Sequence, residues 1–278
     1  MKFFFAALLA TLSLSTFAQS YLIMDNGITI TIDQGGFAYD FGNYAFPQKI
    51  TLKGGQYYVE DNNIIATIDQ NGALFRKYEL MPTKIIGGGT NYFLSDTGEL
   101  YTIDAQGSVN LVVDEKFKTA NAFGGNFFTV MVDPEKKIMD LYTVNSAGKA
   151  VKAELGAFRM KDVVSIGGTY FMSNRGVVYT VSNEGIVTPW PSMRVGVLQK
   201  KGANFFTDSS GMIYTVTQSG TLIIPALPVN FKLNAVTKLG SNYMLDLSGR
   251  LFTVDKDGNI FERIMRDHDF RNARVLSL

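Results

Sequence analysis

Short apolar runs, bounded by glycine-rich polar turns, recur along the whole chain. Lys49-Ile50-Thr51-Leu52 and Asp162-Val163-Val164-Ser165-Ile166 are such runs. Each leads into a Gly-small-polar-aromatic-aromatic group, Gly54-Gly55-Gln56-Tyr57-Tyr58 and Gly167-Gly168-Thr169-Tyr170-Phe171. The group returns at Gly89, Gly124, Gly202 and Gly240. An aromatic strand, a turn, a strand ending in Thr-[Ile/Val], a second turn and a last strand follow it. The predicted unit is therefore four short strands, A to D, punctuated by turns.

The clearest register mark is Thr-[Ile/Val]-[Asp/Asn/Ser/Thr]-x-x-Gly, beginning at Thr31, Thr67, Thr102, Thr143, Thr180, Thr215 and Thr253. Successive copies lie 36, 35, 41, 37, 35 and 38 residues apart. In a strand-rich chain that period indicates a propeller or a related array. The side chain at the third position can bond to the backbone two residues on, and the glycine can take the positive φ that closes a hairpin. B–C turns carry glycine at Gly27, Gly98, Gly176, Gly211 and Gly249, with Asn63 in one copy. In the third full unit Val132-Asp133-Pro134-Glu135-Lys136-Lys137 lengthens this hairpin by about six residues.

Proline orders the strands. Pro47, Pro82, Pro189, Pro191, Pro225 and Pro228 fall in D strands or D–A connections, and a residue without an N–H belongs on a sheet edge. The chain after residue 18 opens on a B-like strand, Tyr21-Leu22-Ile23-Met24, and finishes on an A-like one, Ala273 to Leu278. The expected fold is all-β: a seven-bladed β-propeller with four-stranded blades, closed by N-terminal B, C and D strands plus a C-terminal A strand.

Residues 1–18 interrupt this pattern. Lys2, the apolar stretch Phe3 to Leu14 and Thr16-Phe17-Ala18 read as a signal peptide cleaved before Gln19. The domain expectation is a leader at 1–18 and the propeller at 19–278, in the periplasm or secreted. With no cysteine in the chain, disulfides, thiolate metal sites and a cysteine nucleophile are excluded. A net charge of +1 supplies no general attraction to nucleic acid or anionic membranes. No cofactor, metal or membrane span is expected, and a monomer is.

Over residues 20–278 the chain resembles the broad class of secreted or periplasmic bacterial β-propellers, with a WD-repeat-like architecture but without the Gly-His and Trp-Asp signatures. The turn Ser95-Asp96-Thr97-Gly98-Glu99-Leu100-Tyr101 is similar to the Asp-box of sialidase-like propellers, with Tyr or Phe in place of the usual Trp. The resemblance implies fold and assigns no functional residue.

Candidate chemistry is sparse. Asp255-Lys256-Asp257-Gly258-Asn259 lacks the spacing of a calcium loop and aligns with the other C–D turns. His268, between Asp267 and Asp269, reads as a solvated loop residue, and Trp190 as packing against the neighbouring blade. Each D–A connection delivers a cation to the entry of strand A: Lys49, Lys84, Lys118, Lys161, Arg194, Lys232 and Arg274. These would ring one mouth of a central channel and bind an anionic ligand there. The extended hairpin, Asp133, Pro134, Glu135, Lys136 and Lys137, is the expected partner contact. Together these features point to a non-catalytic scaffold for an envelope protein, peptide or glycan. The alternative is a propeller hydrolase or lyase acting on an anionic saccharide.

Overall fold

The computed structural model describes residues 20–23, 28–43, 50–60, 64–69, 71–79, 84–136, 138–155, 159–193 and 195–275. The leader expected at 1–18, the turns at Gly27 and Asn63, and Lys49, Lys137 and Arg194 lie outside these residues.

Six contiguous blades follow one another along the chain, each an antiparallel meander in the order A-B-C-D. The first comprises Ile50–Lys53, Tyr57–Glu60, Ile64–Ile68 and Leu74–Glu79, and the second Ile85–Gly88, Tyr92–Ser95, Glu99–Ile103 and Val109–Lys116. The third holds Ala120–Phe123, Phe127–Asp133, Ile138–Val144 and Ala150–Lys152, and the fourth Val163–Ile166, Tyr170–Ser173, Val178–Val181 and Val187–Trp190. Leu198–Lys201, Phe205–Asp208, Ile213–Val216 and Leu222–Ile223 make the fifth, with Val236–Leu239, Tyr243–Asp246, Leu251–Val254 and Ile260–Arg263 the sixth. A further four-stranded sheet is composite, with Arg274–Val275 beside Ser20–Ile23, Ile28–Ile32 and Ala38–Asn43.

This corrects the expectation of a seven-bladed propeller with four-stranded blades. Six blades are self-contained repeat units. The remaining sheet is not: among the described residues its inner strand pairs only as Leu22 with Val275 and Ile23 with Arg274. The fifth blade departs too, its outer strand being two residues long. Pro225 and Pro228 follow it, and neither can donate to a ladder. The composite sheet nonetheless sits between two blades. On one side Thr253 Oγ1 donates to the Gly36 carbonyl at 2.7 Å and Asn242 Nδ2 to that of Asp33 at 3.1 Å. On the other, Gly72 of the first blade lies against the Thr31 side chain.

The turns form as their residues dictate. All seven C–D glycines, from Gly36 to Gly258, have φ between 72° and 84°, a region that suits residues without Cβ. The side chain at the motif's third position gathers the turn's amides: Asp104 Oδ1 accepts from Gln106 N at 3.0 Å and Ser108 N at 2.8 Å, and Asp255 Oδ1 from Asp257 N at 2.9 Å and Asn259 N at 2.7 Å. The Asp255 segment is thus an ordinary turn.

The core lies between blades. B strands bury both faces, because each sheet is covered by a neighbour on either side; Tyr57, Tyr92, Phe93, Phe127, Tyr170 and Phe205 are fully enclosed. Three of these tyrosines also tie blade to blade. Tyr57 Oη donates to the Tyr92 carbonyl at 2.7 Å, Tyr92 Oη to that of Gly124 at 3.0 Å, and Tyr170 Oη to that of Phe205 at 2.9 Å. Burial pushes all three phenols up, so they remain neutral donors. At the A–B turns the blades approach so closely that a Cβ on Gly168 would lie 2.1 Å from the Ala203 Cα. Backbone bonds cross there, Thr169 N to Ala203 O at 2.7 Å and Ala203 N to Ser241 O at 2.7 Å.

Candidate binding faces

A four-stranded meander sends its D–A connection and B–C turn to one end of the blade and its A–B and C–D turns to the other. Contacts confirm this division. Asp96 N of a B–C turn donates to the Lys84 carbonyl at 2.6 Å, Asn174 N to that of Asp162 at 2.7 Å, and Leu247 N to that of Ala235 at 2.9 Å. Asp208 Oδ2 accepts from Gly196 N at 3.1 Å, pinning connection to turn in the fifth blade. Burial alone would raise the Asp208 carboxyl. The Ser210 hydroxyl and the amides of Gly196, Met212 and Ser210 outweigh it and hold the group below the usual aspartate value.

Lys84, Lys118, Lys161 and Lys232 are exposed on this D–A/B–C face. The backbone of Arg274 lies at the start of the composite sheet's inner strand. None of the four exposed lysines lines the cavities described below. Nor do Asp208 and Asp246 pair with them: both carboxylates serve their own turns, Asp246 through Arg250 Nε at 2.8 Å. Several aliphatic side chains share the face. Val197, Val229 and Ile264 lie in D–A connections and Leu247 in a B–C turn, and they are 68%, 100%, 80% and 70% exposed. Sequence reading missed them because a lone apolar residue in a polar loop carries no periodicity.

The third blade's hairpin projects as expected, with a register shift between Met131 and Asp133. Asp133 Oδ1 accepts from Lys136 N at 3.0 Å and shapes the tip. Pro134, Glu135 and Lys136 are exposed, and so are Val132 and Ile138 at its base.

On the opposite, A–B face a cavity of about 360 Å³ is lined by the ends of five consecutive inner strands and their turns. Lys53, Phe123, Ile166 and Lys201 contribute side chains, and glycines from Gly88 to Gly202 form the rest. A second cavity of about 250 Å³ lies among C–D turns near Gln218 and Lys256, and a third of about 450 Å³ beside Lys200, Leu233 and Asn234. The Lys200 ammonium there donates to the Val236 carbonyl at 2.6 Å and the Leu233 carbonyl at 3.0 Å, bridging the fifth and sixth blades.

Two local expectations resolve differently. Trp190 packs into a cluster shared by the fourth and fifth blades, and its Nε1 donates to Thr180 Oγ1 at 2.8 Å. His268 is not a solvated loop residue: its side chain is 8% exposed and its Nε2 lies 2.9 Å from Asp40 Oδ2 of the composite sheet. The partner stands more than 200 positions away, so Asp267 and Asp269 misled the local reading. Among the described residues no cluster of three His, Cys, Asp or Glu could hold a metal ion. No helix there is long and apolar enough to cross a membrane.

No protein-family model matches the chain, and no curated protein does. Among solved structures it is similar to a catalytically inactive virginiamycin B lyase from Staphylococcus aureus with quinupristin, at TM-score 0.33 and 15% identity over 89% of this chain and 88% of that one. BamB from Moraxella catarrhalis gives 0.30 and 12% over 90% of each. A mutant of AofleA from Arthrobotrys oligospora gives 0.29 and 11% over 95% and 88%. At such scores these likenesses carry no argument, and the propeller architecture rests on the sheets themselves.

Proposed function

We propose that the protein is a non-catalytic binding scaffold of the bacterial cell envelope, engaging a protein or peptide through its D–A/B–C face. The reading rests on one observation: Val197, Val229, Leu247 and Ile264 stand exposed on that face of two adjacent blades and the connection after them. Single exposed hydrophobes are ordinary, whereas several grouped on one face and rimmed by charge mark an interaction surface. Their aliphatic character favours an apolar peptide surface over a sugar. Exposed Lys84, Lys118, Lys161 and Lys232 would steer a partner with an acidic rim. On the leader read at residues 1–18, the working location is the periplasm or the cell exterior.

The test is a Val229→Asp/Leu247→Asp variant, immobilised beside the wild type and offered an envelope extract. Both sites are solvent-facing, so the melting temperature should stay within about 2 °C, as surface substitutions usually change stability by under about 0.5 kcal/mol. A partner held by the wild type should be lost from the variant. Equal capture by both would contradict the proposal.

A further inference from the structure

The axial cavity on the opposite face has a composition that packing alone does not require. Its glycines are accounted for: a Cβ on Gly124, Gly167 or Gly202 would lie 2.1–2.3 Å from the Phe127, Tyr170 or Phe205 ring. The lysines are not. The last residue of each inner strand holds Gly88, Phe123, Ile166 and Leu239 in four blades, but Lys53 and Lys201 in the first and fifth. These two blades stand at the two ends of the five-blade arc that lines the cavity. Half-buried Lys53 and exposed Lys201 therefore line one recess from opposite flanks, with Phe123 and Ile166 between them.

No carboxylate is among the lining residues. Lys201 Nζ uses one of its three donors on the Ile166 carbonyl, at 3.0 Å. The ammonium of half-buried Lys53 makes no hydrogen bond or ion pair to any described residue. Two like charges in a recess with partly apolar walls concentrate a positive potential, which a bound anion relieves. The volume falls at the low end of small-molecule sites, about 300–1,000 Å³. We propose that this cavity is a seat for a small carboxylate carrying an apolar or ring-shaped body: the charge is held by Lys53 and Lys201, and the body lies against Phe123 and Ile166. This seat is independent of the D–A/B–C face.

Benzoate and its neutral counterpart benzamide are suitable probes, titrated into the full mature chain at low ionic strength and followed by the amide signals of Gly125 and Gly168. Benzoate should move those signals with an affinity at least tenfold above that of benzamide, weakening as salt screens the lysines. Lys53→Met/Lys201→Met keeps the aliphatic stems and should cost benzoate at least tenfold, while Lys53→Arg/Lys201→Arg should retain most binding. Equal affinity for the two probes, undiminished binding by the Met variant, or shifts confined to other regions would overturn the assignment. So would inorganic phosphate binding as tightly as benzoate, since charge alone would then be recognised.

Discussion

The hydroxyl of Thr67 donates to the Gly107 carbonyl of the next blade at 2.7 Å, Thr215 to Gly258 at 2.8 Å and Thr253 to Gly36 at 2.7 Å. The first and sixth positions of the repeated motif therefore meet across blades rather than within one, which explains why both are retained around the molecule. Thr67→Val keeps the shape but leaves a buried carbonyl unpaired, at a cost of about 1–3 kcal/mol. Chemical denaturation should show that loss for Val and recover most of it for Thr67→Ser. A second residue-scale test uses acid. The folded-state carboxyls of Asp208 and Asp246 are both held below their usual value by hydrogen bonds that outweigh burial. Their contribution is complete above the unfolded value of about 3.9 and vanishes as pH falls through the lower folded value. Melting temperature should therefore drop on acidification below about pH 4, and Asp208→Asn/Asp246→Asn should flatten that drop. An unchanged profile in the double variant would refute the assignment.

At the level of elements, the hairpin of residues 127–144 has seven-residue strands, longer than the B and C strands of the other described blades. The inner parts of its strands pack in the core, with Phe127, Phe128 and Leu141 buried, while its tip is exposed. Replacing residues 133–137 with a two-residue turn should leave the melting temperature within about 2 °C of the wild type, because few core contacts depend on the tip. If the tip touches the partner, affinity falls in the same variant; a collapsed fold would show that the extension is structural. The turns were legible in the sequence because an Asp, Asn, Ser or Thr side chain and a glycine act within six residues. Strand lengths were less so. The two-residue outer strand of the fifth blade reflects Pro225 and Pro228 beyond it, whereas prolines elsewhere were compatible with full-length edges.

For the whole molecule, the limits of sequence reading follow chain distance. The His268–Asp40 contact, Lys200 on the carbonyls of the next blade, and the convergence of Lys53 and Lys201 all join residues far apart in the chain. Repeat spacing predicts stacking but not which side chains a ring brings together. The sequence drew attention to cations at the D–A entries, yet aliphatic residues on that same face carry the proposed interaction. Hydrogen–deuterium exchange of the protein with and without its captured envelope partner tests that claim most directly. The account predicts new protection at residues 195–199, 227–232, 246–249 and 264–267, with C–D turns such as 183–186 unchanged. Protection confined to the C–D turns, with the D–A/B–C segments exchanging as in the free protein, would contradict it.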